Sequence, residues 1–89
     1  MTLPITSGTI AVGTTPVQLD GTGVSPIRIY VRNNDSTKTL YVGNGTVTVA
    51  DGFPIDKLST QDFLLFPNQS LWIVSSDTGH SVSWMRIPV

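Results

Sequence analysis

The chain has 89 residues, a net charge of −1 and 12% charged residues, with no cysteine and a single histidine. This length allows one small domain, and the composition excludes disulfides, thiolate metal sites and histidine clusters. The five basic residues are scattered, so neither nucleic acid nor an anionic membrane surface is a predicted partner. Because a core of this size supplies only about 3–5 kcal/mol, association with further subunits is the expected source of additional stability.

Good helix formers are nearly missing from the sequence. It contains no glutamate and only two alanines, whereas Thr, Val, Ile and Ser are abundant. The composition therefore predicts an all-β chain, with at most a single helical turn at residues 55–60 (IDKLST). No segment approaches the ~20 apolar residues of a spanning helix, and the N-terminus lacks the pattern of a signal peptide. We expect synthesis in a cytoplasm, where the chain either stays or leaves by a route other than ordinary secretion.

The chain begins with a predicted extended arm over residues 1–8 (MTLPITSG), followed by one β-sandwich domain over residues 9–89. Pro4 cannot lie in the middle of a sheet, and it is flanked by the apolar side chains of Leu3 and Ile5. Two short strands are then expected at residues 9–12 and 17–19, before a glycine-rich loop at residues 20–26.

The alternation of apolar and polar residues is clearest in the next strand, residues 27–33 (IRIYVRN). Ile27, Ile29 and Val31 project to one face, because successive side chains of a strand point to opposite faces. A tight turn with positive φ is expected at residues 43–45 (GNG). The remaining strands are predicted at residues 39–42, 46–50, 62–66, 70–75 and 80–87. About eight short strands indicate a small antiparallel β-sandwich or jelly-roll-like barrel.

The predicted core contains the apolar side chains that share the inward face of these strands. They are Ile27, Ile29, Val31, Leu40, Val42, Val47, Val49, Phe53, Phe63, Leu65, Leu71, Ile73, Val82 and Trp84. The strands at residues 62–66 and 70–75 are apolar on both faces. Such strands either lie centrally or have a second face covered by another subunit.

Catalytic residues are not predicted. His80 follows a turn, its nearest acid in the sequence is Asp77, and we expect it to be an exposed turn residue and not a general base. Asp51 with Asp56, or Asp56 with Asp62, could form a carboxylate pair, but a sandwich of this size hardly forms the cleft that a glycosidase needs. The sequence predicts no enzyme activity, no cofactor and no metal site.

The tryptophans offer a different kind of site. Trp84 is two residues from Val82 and therefore lies on the same face of its strand, which favours a core position. Trp72 shares a face with Val74 and is compatible with either burial or an interface. An exposed tryptophan on a sandwich face could stack on a sugar ring, so a carbohydrate-binding module is an alternative function. The candidate interface residues are Leu3, Ile5, Trp72 and Val74.

Two segments of the sequence, residues 28–55 (RIYVRNNDSTKTLYVGNGTVTVADGFPI) and residues 63–87 (FLLFPNQSLWIVSSDTGHSVSWMRI), resemble small structural proteins of tailed bacteriophages. The shared pattern comprises a strand ending in Asn, an aliphatic-Tyr-Val-Gly strand, an nGf-type turn, a Pro-x-x-Ser step and a final Gly-x-x-Val strand. The matching positions are residues 31–33, 40–43, 47–55, 67–70 and 79–82.

This resemblance implies a virion protein, most closely a head-decoration (cement) protein on the capsid surface. Proteins of that kind are β-rich, are often homotrimers and bind the major capsid protein, frequently with an N-terminal arm along the shell. A neck, tail or fibre component is a second possibility that fits the same pattern.

Overall fold

A computed structural model describes residues 5–21 and 26–89 of the chain. Eight strands follow one another: β1 (Thr6–Val12), β2 (Val17–Gly21), β3 (Ile27–Asn33), β4 (Leu40–Gly43), β5 (Phe53–Ile55), β6 (Thr60–Leu65), β7 (Ser70–Ser75) and β8 (His80–Pro88). No helix occurs in the described ranges. The predicted all-β fold of about eight strands is confirmed.

The strands form two four-stranded antiparallel sheets. Sheet A has the order β1-β8-β3-β6 and sheet B the order β2-β7-β4-β5. Four of the strand pairs are those of one long antiparallel hairpin that has rolled up: β1–β8, β2–β7, β3–β6 and β4–β5. The other two pairs, β3–β8 and β4–β7, join the rolled parts of the hairpin into two sheets. This is the strand order of a jelly roll.

The core lies between the two sheets. Because successive side chains of a strand point to opposite faces, one apolar face of each sheet points into this space. Its buried members are Val12, Ile27, Ile29, Val31, Leu40, Val42, Ile55, Leu65, Leu71, Ile73 and Val82. Ile10, Leu19 and Phe63 pack against them from the open sides. Most of the predicted core is therefore confirmed.

The prediction of a core position is wrong for two residues. Val49 and Phe53 are exposed, because Val49 lies in a loop and Phe53 lies at the free edge of sheet B. The Phe53 ring meets Phe63 edge to face at a centroid distance of 6.1 Å, across the side of the sandwich where β5 and β6 are both edge strands. Phe63 and Trp84 are half-buried. The prediction missed the buried side chains of Val12, Ile55 and Val74.

Three local predictions also fail. Residues 46–50 form turns and not a strand, and residues 55–60 contain no helical turn. The positive φ expected at residues 43–45 is absent; in the described ranges it occurs at Leu58, Asn68 and Gly79. A loop of nine residues replaces the tight hairpin, since β4 pairs directly with β5 at Phe53–Ile55.

The first strand starts inside the predicted arm. β1 begins at Thr6, which pairs with Arg86, and Gly8 lies opposite Trp84. A Cβ on Gly8 would come within 3.1 Å of the Trp84 ring, so the glycine leaves room for this half-buried indole. Leu3 lies outside the described residues.

Candidate interaction surfaces and a buried histidine network

The outer face of sheet B is covered by the loop between β4 and β5, residues 44–52, here called the β4–β5 loop. Val47 of this loop is 4% exposed and packs between two glycines. A Cβ on Gly43 would lie 2.8 Å from Cγ2 of Val47, and a Cβ on Gly52 would lie 3.0 Å from the same atom. The two glycines therefore provide the space into which Val47 fits.

Trp72 and Val74, two of the predicted interface residues, lie on this covered face. Val74 is 3% exposed, and Gly45 of the loop lies against the indole of Trp72. The indole Nε1 of Trp72 donates to Ser70 Oγ at 3.2 Å. β7 is apolar on both faces because it is a central strand and because its own chain covers its outer side.

Side-chain oxygens hold the β4–β5 loop in shape. Asn44 Oδ1 accepts from the backbone N–H of Thr46 at 3.0 Å, and Asp51 Oδ1 accepts from the N–H of Thr48 at 2.7 Å and from its hydroxyl at 3.0 Å. The backbone bond from Thr48 is the main reason that the pKa of Asp51 is lowered. These are Asx-type contacts, which stabilise turns in place of a strand.

A shallow pocket of about 520 Å³ opens beside this loop. Val47, Val49 and Val74 contribute its apolar lining, and Pro16 and Thr14 close it from the corner between β1 and β2. Its volume is within the range of small-molecule pockets, but it has no charged lining residue to orient a ligand.

Within the part of the chain that the structure describes, no loop covers the outer face of sheet A in the same way. The strand registers place its outward side chains in rows across the sheet. One row is Leu64–Arg28–Ile87, and the next is Asp62–Tyr30–Met85–Ser7. At one end of the sheet, Val89 donates to the carbonyl of Pro26 and continues the ladder.

Apolar side chains are concentrated at that end of sheet A. We call this surface the apolar half; its members are Ile5, Leu64, Phe66, Met85, Ile87 and Val89. Five of them are among the large exposed hydrophobic residues, with exposed fractions from 38% for Met85 to 71% for Val89. Ile5 precedes the Thr6–Arg86 pair and so comes next to Ile87. The opposite half of the face is polar, with the row Thr60–Arg32–Ser83–Thr9.

The side-chain charges within the apolar half neutralise each other. Arg28 Nη1 lies 2.5 Å from Asp62 Oδ2, in an ion pair in which both side chains stay partly exposed. Both residues belong to sheet A, on the adjacent strands β3 and β6. The apolar half therefore carries a balanced pair of side-chain charges at its centre.

His80 is buried, with 1% exposure, so the predicted exposed turn residue is wrong. Its Nε2 lies 2.6 Å from Asn33 Oδ1 and its Nδ1 lies 2.7 Å from Ser75 Oγ. Asn33 Nδ2 donates to the carbonyls of Lys38 and Ile55, so Oδ1 is the acceptor and His80 Nε2 carries the proton. The network joins the end of β3 in sheet A to the end of β7 in sheet B.

Burial is the main reason that the pKa of His80 is lowered; the charge of Lys38 also lowers it and that of Asp35 raises it. A Ser–His–Asn contact contains the groups of a nucleophile and its base. Ser75 and His80 are each 1% exposed, however, so a substrate cannot reach Oγ in this conformation. The geometry is that of a fully hydrogen-bonded structural network.

The aspartates considered as acids or ligands have local roles. Asp62 pairs with Arg28, Asp77 pairs with Lys38, and Asp51 stabilises the β4–β5 loop. Among residues 5–21 and 26–89, no three His, Asp or Glu side chains are grouped closely enough to hold a metal ion. The same ranges contain no helix long and apolar enough to cross a membrane.

Comparison with known proteins identifies a similar fold. No family model matches the chain, and no curated protein matches it. Among solved structures, it is similar to a protein of Bacillus endospore appendages, which are described as a novel family of disulfide-linked pili. The TM-score is 0.58 at 12% identity, over 96% of this chain and 88% of that chain. At this identity the likeness shows a shared fold.

The predicted interface residues do not form one site. Ile5 lies at the apolar half of sheet A, whereas Trp72 and Val74 lie under the loop on sheet B. The sequence reasoning overlooked the other members of the apolar half. Their signal was the odd-numbered parity of Met85, Ile87 and Val89, which places three apolar residues on the outer face of β8 and its extension.

Proposed function

We propose that this chain is a non-enzymatic structural protein of a tailed-bacteriophage virion, a decoration (cement) protein that binds the major capsid protein on the outer surface of the head. The observation that carries the proposal is the apolar half of sheet A. Large exposed apolar patches on small proteins mark interaction sites. Sheet B shows that this chain is able to cover an apolar outer face with its own loop, and no loop among residues 5–21 and 26–89 covers the apolar half of sheet A in this way.

The size of the domain supports a role in an assembly. A partner that binds the folded chain and not the unfolded chain stabilises it by mass action. A lattice of many identical copies supplies such a partner repeatedly. The resemblance of residues 27–87 to phage virion proteins supports the choice of a phage head as that lattice.

The similar fold in a protein of endospore appendages supports a structural role in general terms, because those appendages are described as pili. This chain contains no cysteine, so it cannot form the disulfide links that are described for those pili. Its contacts with neighbours are therefore noncovalent in the proposal, and the proposal assigns no chemistry to the buried Ser75–His80–Asn33 network.

The test uses heads that were assembled without this protein. Purified chain added to mature, expanded heads is expected to bind saturably and to raise the temperature at which the heads release their DNA. Immunogold labelling of complete virions then locates the protein. Gold on heads is the expected result, whereas label confined to necks, tails or fibres, or a lack of saturable binding to heads, would reject the decoration role.

The carbohydrate-binding alternative rests on Trp72. Gly45 lies against the indole and its Nε1 is already bonded to Ser70, which leaves less of the ring available for stacking on a sugar. A glycan array separates the two functions. Silence on the array is expected, and a signal that disappears in Trp72→Ala would favour the sugar-binding function instead.

A further inference from the structure

We propose that Asn44 is a site of spontaneous modification, at which the next residue, Gly45, converts the side-chain amide to a carboxyl group. The backbone nitrogen of Gly45, once it has lost its proton to solvent, attacks Cγ of Asn44 and closes a succinimide ring. The new C–N bond displaces Nδ2, which takes up a proton and leaves as ammonia. Water then opens the ring at one of its two carbonyls, giving aspartate or isoaspartate. No group is oxidised or reduced.

The nitrogen that has to react is available at Gly45 and engaged after the other three asparagines. In the described ranges the N–H of Gly45 donates no hydrogen bond. After the other asparagines, the following N–H groups are those of Asn34, Asp35 and Gln69, which donate to the carbonyl of Ser81 at 3.1 Å, to Oδ1 of Asn33 at 3.0 Å and to the carbonyl of Phe66 at 3.1 Å. A bonded nitrogen must give up its acceptor before it attacks, which favours reaction at Gly45 alone.

The amide under attack is exposed and already polarised. Oδ1 of Asn44 accepts from the backbone N–H of Thr46 at 3.0 Å and from its hydroxyl at 2.9 Å. When the nitrogen of Gly45 adds to Cγ, negative charge develops on this oxygen. Two donors that are in place before the reaction stabilise that charge, as the donors of an oxyanion hole do. Gly45 also has no Cβ to shield its nitrogen.

A second pair in the β4–β5 loop, Asp51 and Gly52, shows which features protect such a site. Oδ1 of Asp51 accepts from the N–H and the hydroxyl of Thr48, so its carbonyl side resembles that of Asn44. The N–H of Gly52, however, donates to the carbonyl of Thr48 at 2.9 Å. The backbone hydrogen bond from Thr48 also lowers the pKa of Asp51, and the ionised carboxylate resists a nucleophile. The attacking nitrogen is therefore available in only one of the two pairs.

The modification changes the loop that covers sheet B. In isoaspartate the main chain runs through Cγ and is one carbon longer, so Thr46 loses the side-chain acceptor that holds it. The same turn contains the bond from the N–H of Val47 to the carbonyl of Asn44 at 3.0 Å. We expect isoaspartate to loosen the cover around Val47. The aspartate product keeps the acceptor for Thr46 and is expected to keep the loop.

Tryptic mapping of the intact, folded chain after incubation at mildly alkaline pH is the first test. Lys and Arg divide the asparagines among three peptides: residues 33–38 contain Asn33 and Asn34, residues 39–57 contain Asn44, and residues 58–86 contain Asn68. We expect the mass increase of amide-to-acid conversion in residues 39–57 first. Isomerisation of Asp51 changes no mass and does not interfere. An unchanged mass there, or equal conversion in all three peptides, overturns the proposal.

Gly45→Ala tests the intrachain attack. The new Cβ would meet the Trp72 ring at 3.4 Å, an ordinary contact, and Gly45 does not have a positive φ, so we expect the fold to be kept. Circular dichroism checks this. Because the methyl group shields the nitrogen, conversion at Asn44 is expected to slow by roughly tenfold, equivalent to about 1.4 kcal/mol in the barrier. An unchanged rate would show that Gly45 is not the nucleophile.

Asp51→Asn provides the matched control, because it creates a second Asn–Gly pair in the same loop with its N–H bonded. In the folded chain we expect Asn44 to convert about tenfold faster than the asparagine introduced at position 51, whose neighbour must first give up a hydrogen bond. In urea the two rates should become similar. Fragment-ion spectra of residues 39–57 distinguish the two positions. Equal rates in the folded chain, or the same difference in urea, would overturn the proposal.

These outcomes are independent of the head-binding test, because the reaction needs only the folded chain and water. Conversion at Asn44 in a chain that does not bind heads would retain this proposal and reject the decoration role. Head binding by a chain whose Asn44 stays intact would do the reverse.

Discussion

The two sheets of this jelly roll both carry apolar side chains on their outer faces, but these side chains are buried on sheet B and exposed on sheet A. On sheet B, the β4–β5 loop folds back over the outer face, where Val47 and Val74 are 4% and 3% exposed. On sheet A, the apolar half stays open between Ile5 and Val89. The difference shows that a strand with apolar residues on both faces does not by itself indicate an interface, because a loop of the same chain is able to provide the cover.

The largest expected effect comes from breaking the cover of sheet B with Val47→Asp. A carboxylate at this 4% exposed position loses its hydration without a partner, and we expect the free energy of unfolding to fall by about 3 kcal/mol. Urea unfolding followed by tryptophan fluorescence measures the change. Val49→Asp, in the same loop but 43% exposed, is the control and should cost less than about 0.5 kcal/mol. Equal losses in the two variants would mean that Val47 does not act as the cover.

A smaller effect is expected from filling the space in which Val47 sits. In Gly52→Ala the new Cβ would lie 2.7 Å from Cβ of Tyr41 and 3.0 Å from the backbone oxygen of Thr48, so we expect a loss of about 2 kcal/mol from overpacking. Gly13→Ala is the matched control, since no atom lies within 4 Å of its Cβ position. The shift of each variant's urea midpoint from that of the unaltered chain, multiplied by the m-value, measures its loss. A tolerated Gly52→Ala would show that the loop is free to move away from sheet B.

The smallest effect concerns pH and the bridge between the sheets. The pKa of His80 is lowered from its ordinary value of 6.5 in the folded chain, so below pH 6.5 the unfolded chain binds a proton that the folded chain does not. The contribution of neutral His80 to the free energy of unfolding is therefore fully present above pH 6.5, and it decreases as the pH drops toward the lowered pKa of the folded chain. We expect the free energy of unfolding, measured by urea unfolding at each pH, to decrease between pH 7.5 and 5.

His80→Gln is the control for this titration. The variant is expected to be less stable at every pH, yet to show little change between pH 7.5 and 5. In that interval the Asp35 and Asp51 carboxylates, whose ordinary pKa is 3.8 and is lowered here, remain ionised and add no slope. Parallel pH profiles for the two proteins would show that His80 is not the group responsible.

The sequence alone determined the class of fold and most of the core. Alternation over residues 27–33, the scarcity of helix formers and the turn residues between short apolar runs are local signals, and they were enough to predict eight strands in a sandwich. They also identified Ile29, Val31, Leu40 and Ile73 as buried, because the period of two directly states which side chains share a face.

Only the tertiary structure decided which faces are covered. The parity of Trp72 and Val74 was evident in the sequence, but the β4–β5 loop that covers them depends on Asn44 and Asp51 forming turns where the valine–threonine pattern suggested a strand. His80 likewise follows a turn in the sequence, and its burial results from Asn33 and Ser75, which are 47 and five residues away. Coverage and long-range hydrogen bonding depend on the packing of distant segments, and a local pattern does not contain that information.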